Sequence, residues 1–196
     1  MPISRDLRTK NVAAMFDQFR GTRAIVFDMR GFPARLNLST FGSRLVARAG
    51  VPGWRIDVPV FAPGVGAYSP EGLQSSYLQN LGPPSKPHYT GRTVMLIQEN
   101  GASKSEIMGL CLRAAAGTAF VGSPTAGQSG SVMNFSLSGG ITVTFTGKGG
   151  CWPNGDQVQR VGLKPDVPVR PTKAGLAAGR DEVLEAALGY LDGVAK

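Results

Sequence analysis

The fold is decided by the sequence "TVMLIQENGASKSEIMGLCLRAAA", which runs from Thr93 to Ala116. Its first five residues form a largely apolar run that is typical of a buried strand. The chain then turns at Asn100-Gly101, and the alanine-rich segment from Ser103 onward predicts a helix that ends near Ala116. A buried strand that leads through a tight turn into a helix is typical of α/β proteins.

Ser103, at the start of this helix, has two interpretations. Ser103 and Glu106 fit the capping box, in which a serine and a glutamate three residues later satisfy free N–H groups of the first helical turn. The same position meets the positive end of the helix dipole, where unpaired N–H groups stabilise a developing oxyanion. Ser103 is therefore a helix cap alone or a nucleophile presented on a strand–turn–helix, and the local pattern by itself favours the cap.

Composition limits the classes of protein to which the chain can belong. Its 196 residues predict one domain that is large enough for a sizeable core. The net charge of +8 favours acidic partners, but the basic residues are scattered, so nucleic acid is not an expected partner. No apolar run approaches the length of a membrane span. Residues 1–8 lack the apolar core of a signal peptide, so the chain is either cytoplasmic or a piece of a longer protein, and its localisation stays open.

The cysteines and the histidine do not predict a metal site. Cys111 and Cys151 are 40 residues apart without a CxxC spacing, and His88 is the only histidine. Cys111 falls on the predicted helix and is expected to be a small buried hydrophobic residue. One bridge between the two cysteines remains an open alternative, and no cofactor is expected.

The rest of the chain predicts alternating helices and strands. Asp28 and Arg30 follow the first strand and are expected to point to opposite sides of the extended chain, so they need not pair. The predicted elements are a helix over Val12–Phe19, a strand over Ala24–Phe27, a helix over Leu38–Ala49, an irregular stretch over Trp54–Tyr89 with a short strand at Ile56–Phe61, a strand over Ala119–Gly122, a hairpin over Val132–Phe145 and a closing helix over Val183–Leu191. This order predicts an α/β fold, with an open, mostly parallel sheet, flanking helices and a β-hairpin insertion.

Four separated motifs resemble, in order, those of the C-terminal-processing (tail-specific) serine peptidases. Ala24–Pro33 resembles "ILDLRGNPGG", Gly101–Gly109 resembles "SASAAEI", Phe120–Gly127 resembles "VGEPTxGK", and Trp152–Val167 resembles "PxGxxxExxGVxPDI". The resemblance covers roughly residues 10 to 192, and the turn at Trp152-Pro153 looks closer to the tricorn-like branch. It implies a ClpP/crotonase-like core. Since the family normally carries more chain before this point, it also implies that residues 1–196 are the C-terminal part of a catalytic domain.

The resemblance further implies roles for individual residues. The serine that matches Ser103 attacks a carbonyl carbon and forms an acyl-enzyme. The Lys104 N–H is one oxyanion donor and the backbone of Ala34 the other, although Pro33-Ala34-Arg35 stands where the family has paired glycines. The remaining residues expected to line the site are Gly31, Thr125, Gly127, Gln128 and Gln159.

The general base is missing from the motifs. The processing peptidases have a lysine where this chain has Gln128, and glutamine cannot take a proton. The tricorn-like branch uses an upstream histidine supported by a glutamate, but no histidine precedes Asp28 and Gln159 replaces the glutamate. His88 is expected on a surface loop, about 20 Å from Ser103. The chain is therefore a fragment, or receives its base from a partner subunit, or has a weakened or inactive site.

These observations predict a serine hydrolase that cleaves peptides or small carboxylic esters through Ser103. Esters need less help from a base than amides because their leaving group is better, so esterase activity is favoured where the base is missing. The alternative is a catalytically inactive peptide-binding or assembly module of the same fold. The expected partners are a peptide or a small ester, and a homo-oligomer is compatible with the sequence.

Overall fold

The computed structural model describes residues 9–33, 37–59 and 74–193. In chain order its elements are α1 (Thr9–Phe19), β1 (Ala24–Asp28), α2 (Leu38–Leu45), β2 (Pro52–Pro59), β3 (Gln74–Asn80), β4 (Arg92–Ile97), α3 (Lys104–Ala116), β5 (Ala119–Gly122), β6 (Ser131–Leu137), β7 (Ile141–Cys151), β8 (Val167–Pro168), α4 (Lys173–Ala177) and α5 (Glu182–Asp192). The predicted α/β class is confirmed. Among the described helices, none is long and apolar enough to cross a membrane.

A parallel sheet with the strand order β1-β4-β5-β8 forms the centre of the fold. Alternate residues of β4 point to opposite sides of this sheet. Met95 packs in a core with α1, α2 and α3, whereas Val94 packs in a second core with Val183 of α5. Both faces of β4 are therefore covered by apolar side chains. This explains why its sequence is a continuous apolar run and does not alternate with polar residues.

The predicted hairpin exists as β6 and β7, but it belongs to a second, antiparallel sheet with the order β3-β2-β7-β6. The irregular stretch predicted over Trp54–Tyr89 is wrong in part, because β2 and β3 pair along its length. Strand β3 reads "QSSYLQN" and has no apolar run, so only its pairing with β2 makes it a strand. Residues 60–73 of that stretch lie outside the described residues, as does Phe61 at the end of the predicted strand.

Helix α2 ends at Leu45, four residues before the predicted end at Ala49. Val46 has an extended backbone, and its side chain packs with Leu81 and Cys111 in a third small core. This tertiary packing ends the helix, although the apolar spacing continues through Ala49.

Arg30 joins the loop after β1 to the start of α5. Its guanidinium donates two hydrogen bonds to Asp28, at 2.9 and 2.7 Å, and two to Asp181, at 2.8 and 2.7 Å. Asp181 is also the N-cap of α5 and accepts the Leu184 N–H. The prediction that Asp28 and Arg30 point to opposite sides and need not pair is wrong, because side chains two residues apart in an extended chain share a side, and Arg30 reaches the Asp28 carboxylate directly. Both residues anchor the loop structurally.

The Arg30 contacts make the stability of the fold sensitive to acid. The hydrogen bonds from Arg30 lower the pKa of Asp181, so this stabilisation is present above the ordinary aspartate pKa of about 3.9 and is lost as the pH falls through the lowered value. We expect Arg30→Gln to lower the free energy of unfolding by about 2 kcal/mol at pH 7, since the pairs are partly exposed. Urea unfolding at pH 7 and pH 3 should show a smaller acid loss for Arg30→Gln than for the wild type.

A matched control is available on the surface of α5. Arg180 pairs with Glu185 there, and both side chains are about half exposed. Arg180→Gln should therefore change the stability little at pH 7. Equal losses in Arg30→Gln and Arg180→Gln would contradict the structural role assigned to Arg30.

Candidate active site

Ser103 lies between the carboxyl end of β4 and the first residue of α3, Lys104. It is the N-cap residue, so the helix begins one residue later than predicted. Its backbone has φ 52° and ψ −111°, in a half of conformational space that residues with a side chain rarely occupy. Such backbone strain costs about 1–3 kcal/mol and persists only where the surrounding structure holds it. The sharp turn resembles the strand-to-helix elbow on which hydrolases expose a nucleophile.

The side chain of Glu106 holds this turn in place. It is fully buried, and its carboxylate accepts four hydrogen bonds. Oε2 accepts the N–H groups of Ser103 and Gln128 at 3.1 and 2.8 Å. Oε1 accepts the Thr125 hydroxyl and the Gly127 N–H at 2.6 and 2.7 Å. Glu106 therefore fastens the start of α3 to the loop after β5, besides forming its half of the predicted capping box.

The loop after β5 is fixed from its other side as well. The Thr125 hydroxyl oxygen accepts the Leu163 N–H at 2.7 Å. Gly127 has φ +70°, and a Cβ on it would lie 2.8 Å from the backbone of Arg160 and of Val161. Only glycine fits this position, because the conformation and the close approach both exclude a side chain. Three of the four motifs seen in the sequence thus meet at one end of the parallel sheet.

A cleft of about 380 Å³ opens beside Ser103. It lies between the start of α3 and the second sheet, and its lining combines apolar side chains with glycines and serines. The lining residues are Leu38, Trp54, Ile56, Ser103, Lys104, Ile107, Ser129, Gly130, Ser131, Val132, Gly149 and Gly150. Local sequence patterns could not predict that Trp54 and Ile56 line this cleft, because only the pairing of β2 with β7 brings them to α3.

The structure places several predicted site residues around the start of α3. Lys104 is the first residue of the helix, so its N–H belongs to the helix N-terminus. The Gly31 carbonyl accepts the Ser105 hydroxyl at 3.2 Å, which brings the loop after β1 against the helix. Ala34, the second expected oxyanion donor, lies outside the described residues.

Two glutamines, Gln128 and Gln159, stand where the motif resemblance predicts the base and its support. Gln128 is exposed, and its N–H shares the same Glu106 oxygen as the Ser103 N–H. Gln159 is half-buried, and its Oε1 is buried without a hydrogen-bond partner. A Cβ on Gly130 would lie 3.2 Å from that oxygen, so the Gln159 amide stands directly behind the cleft wall.

Four described titratable residues, Glu106, His88, Cys111 and Cys151, are not placed to act as the base. The Glu106 carboxylate already accepts four hydrogen bonds, one of them from Ser103 itself. His88 precedes β4, whereas Ser103 follows it, so the length of the strand separates them. Cys111 and Cys151 are free thiols whose pKa is raised by burial, which keeps them protonated. Within the described ranges, no group of three metal-ligating side chains is assembled.

Comparisons with known proteins bear on this arrangement. The sequence model of peptidase family S41 matches residues 62–169. A putative peptidase from Parabacteroides merdae ATCC 43184 has a TM-score of 0.75 at 20% identity, over 93% of this chain and 56% of that chain. Mature CPAF has a TM-score of 0.70 at 14% identity, over 96% of this chain and 48% of that chain. The photosystem II D1 C-terminal processing protease has a TM-score of 0.56 at 21% identity, over 83% of this chain and 38% of that chain.

At these identities, the likeness to solved structures shows a shared fold alone. The chain spans about half the length of the first two of these structures. No curated protein sequence matches it.

Proposed function

Because this chain belongs to peptidase family S41, we propose that it carries the nucleophile of a serine peptidase, and that this nucleophile is Ser103. The observation that carries the proposal is the strained turn that presents Ser103 at the edge of the cleft, held by the buried Glu106. Strain of this kind collects where a side chain must be held for chemistry.

The reaction follows from this placement. The Ser103 oxygen attacks the carbonyl carbon while a base takes its proton, and the N–H groups of Lys104 and of the loop after Gly31 stabilise the oxyanion. The bond to the leaving group then breaks, the leaving group takes the proton, and an acyl-enzyme remains. Water attacks the acyl-enzyme in a second, equivalent step, which releases the acid and restores the serine.

We infer that Gln159 supports the base. Its buried Oε1 has no donor, and an unsatisfied buried acceptor costs free energy. We expect this oxygen to accept an N–H from the group that serves as base, whether that group lies in another segment of the protein or in a partner subunit. This arrangement would orient the base from behind the cleft wall at Gly130.

The test is hydrolysis of short-chain p-nitrophenyl esters beside a set of unstructured peptides. We expect esters to be cleaved faster than peptides, because a good leaving group needs less help from a base. Ser103→Ala should reduce ester turnover to the rate without protein. The control is Ser136→Ala on β6, an exposed serine far along the hairpin, which should leave turnover unchanged. Equal turnover by the wild type and Ser103→Ala would refute the assignment of the nucleophile.

A second function, a peptide-binding or assembly module without chemistry, is favoured by one observation. Gln128 and Gln159 both stand where a residue able to exchange or support a proton is expected. A folded protein that binds peptides in the cleft, but neither turns over esters nor reacts at Ser103, would establish this function instead.

A further inference from the structure

The β6–β7 ribbon, residues 131–147, has one apolar and one polar face. The register pairs Met133 with Phe145, Phe135 with Val143 and Leu137 with Ile141, so these six side chains share a face. The rings of Phe135 and Phe145 meet edge to face at 5.9 Å between their centroids. The opposite face carries Thr142, Thr144 and Thr146, paired with Ser136, Asn134 and Val132.

This apolar face is open. Phe135 is 48% exposed, Leu137 50% and Ile141 58%, and Met133 and Phe145 are exposed to a similar degree. The ribbon extends beyond the rest of its sheet, because β2 pairs with β7 only between Arg55–Asp57 and Gly149–Cys151. A clean alternation of apolar and polar faces is typical of a sheet with one side packed. A continuous apolar patch that is exposed to solvent indicates an interaction site.

The charge of the chain limits which kind of partner can bind to this apolar face. No residue from Gly130 to Gly147 carries a charge, although the chain as a whole has a net charge of +8. An acidic partner finds no basic side chain on this face. Two copies of a protein of charge +8 repel each other, and they approach most easily through a surface that holds none of that charge.

The exposed apolar area of this face is also large enough for a weak contact with a second copy of the chain. The five most exposed side chains of the face offer roughly 500 Å² of apolar surface per copy, taking about 200 Å² for a fully exposed large side chain. Two such faces bury about 1,000 Å², which is where specific interfaces begin. A two-fold axis places the same face on both sides of the contact, and phenylalanine and methionine are enriched in the cores of interfaces.

We propose that the apolar face of the β6–β7 ribbon packs against the same face of a second copy of this chain. The dimer is weak because its area lies at the lower limit for a specific interface. Since the contact is apolar, added salt strengthens it, whereas a contact between charged groups would weaken. The proposal does not depend on the chemistry at Ser103.

Sedimentation of the purified chain from about 1 to 300 µM tests the proposal. We expect reversible dimers with a dissociation constant in the micromolar range. Leu137→Lys places a charge on the apolar face and should raise that constant at least tenfold. Ser136→Lys makes the same change of charge at the neighbouring position on the polar face and should leave it unchanged. Circular dichroism checks that both variants fold.

Three outcomes would overturn the proposal. One is a wild-type chain that stays monomeric over the whole range, because the face would then belong to another partner or to another segment of the protein. Another is equal weakening by Leu137→Lys and Ser136→Lys, because net charge alone would explain it. The third is unchanged dimerisation of Leu137→Lys, because the interface would then lie elsewhere.

Discussion

Replacing Glu106 by alanine is expected to lower the free energy of unfolding by about 4 kcal/mol or more. The carboxylate is fully buried and accepts hydrogen bonds from Ser103, Thr125, Gly127 and Gln128. Its removal leaves four donors without their acceptor, and two of them, the Thr125 hydroxyl and the Gly127 N–H, are buried. The start of α3 and the loop after β5 then lose their common anchor, so we also expect the strained turn at Ser103 to relax.

The variant Glu106→Gln keeps the size and shape of the side chain but changes its hydrogen bonding. Each carboxylate oxygen accepts two donors, so whichever oxygen the amide nitrogen replaces, two donors lose their acceptor. Urea unfolding should place this variant between the wild type and Glu106→Ala. The control is Glu185→Ala on the surface of α5, which should change the stability little. A Glu106→Ala protein as stable as Glu185→Ala would contradict the anchoring role.

The second large effect is a gain of activity in Gln128→Lys. The backbone N–H groups of Ser103 and Gln128 bind the same Glu106 oxygen, so position 128 is adjacent to the proposed nucleophile. A lysine there places an amine next to the serine, and a positioned base contributes about 10²–10⁴-fold to such reactions. We expect ester turnover to rise about 10- to 100-fold. The gain should grow with pH, because only the neutral amine accepts a proton from the serine.

Two further variants decide how that gain arises. Gln128→Met has a side chain of similar size without a titratable group and should match the wild type. Ser103→Ala combined with Gln128→Lys should be inactive, because the lysine acts only through the serine. If Gln128→Lys and Gln128→Met have the same turnover and the same pH profile, position 128 does not face the Ser103 hydroxyl.

Local sequence patterns predicted the elements around the site well. The apolar run at Thr93–Ile97 predicted the buried strand β4, and the capping box of Ser103 and Glu106 predicted the start of α3 to within one residue. The resemblance to the processing peptidases is confirmed by the match to family S41. The expectation that Thr125, Gly127 and Gln128 line the site stays a prediction. The structure joins each of them to Ser103 through Glu106, but other residues line the cleft beside Ser103.

Contacts between segments that are distant in the chain could not be predicted from local sequence patterns. The sequence placed Glu106 in a capping box, but not at the centre of four hydrogen bonds, because three of the donors come from a loop about twenty residues away. Arg30 was expected to point away from Asp28, although residues two apart in an extended chain share a side. Its second partner, Asp181, lies 151 residues away and has no local signal. Strand β3 has too few apolar residues to be recognised without its partner β2.

Reaction with a fluorophosphonate probe tests the central claim, that Ser103 is a presented nucleophile, most directly. The folded chain is incubated with the probe, and the modified residue is identified by mass spectrometry of its peptides. We predict one adduct per chain on Ser103, which is absent from Ser103→Ala and from protein unfolded in urea. No adduct on folded protein, or an adduct that persists in Ser103→Ala, would contradict the claim.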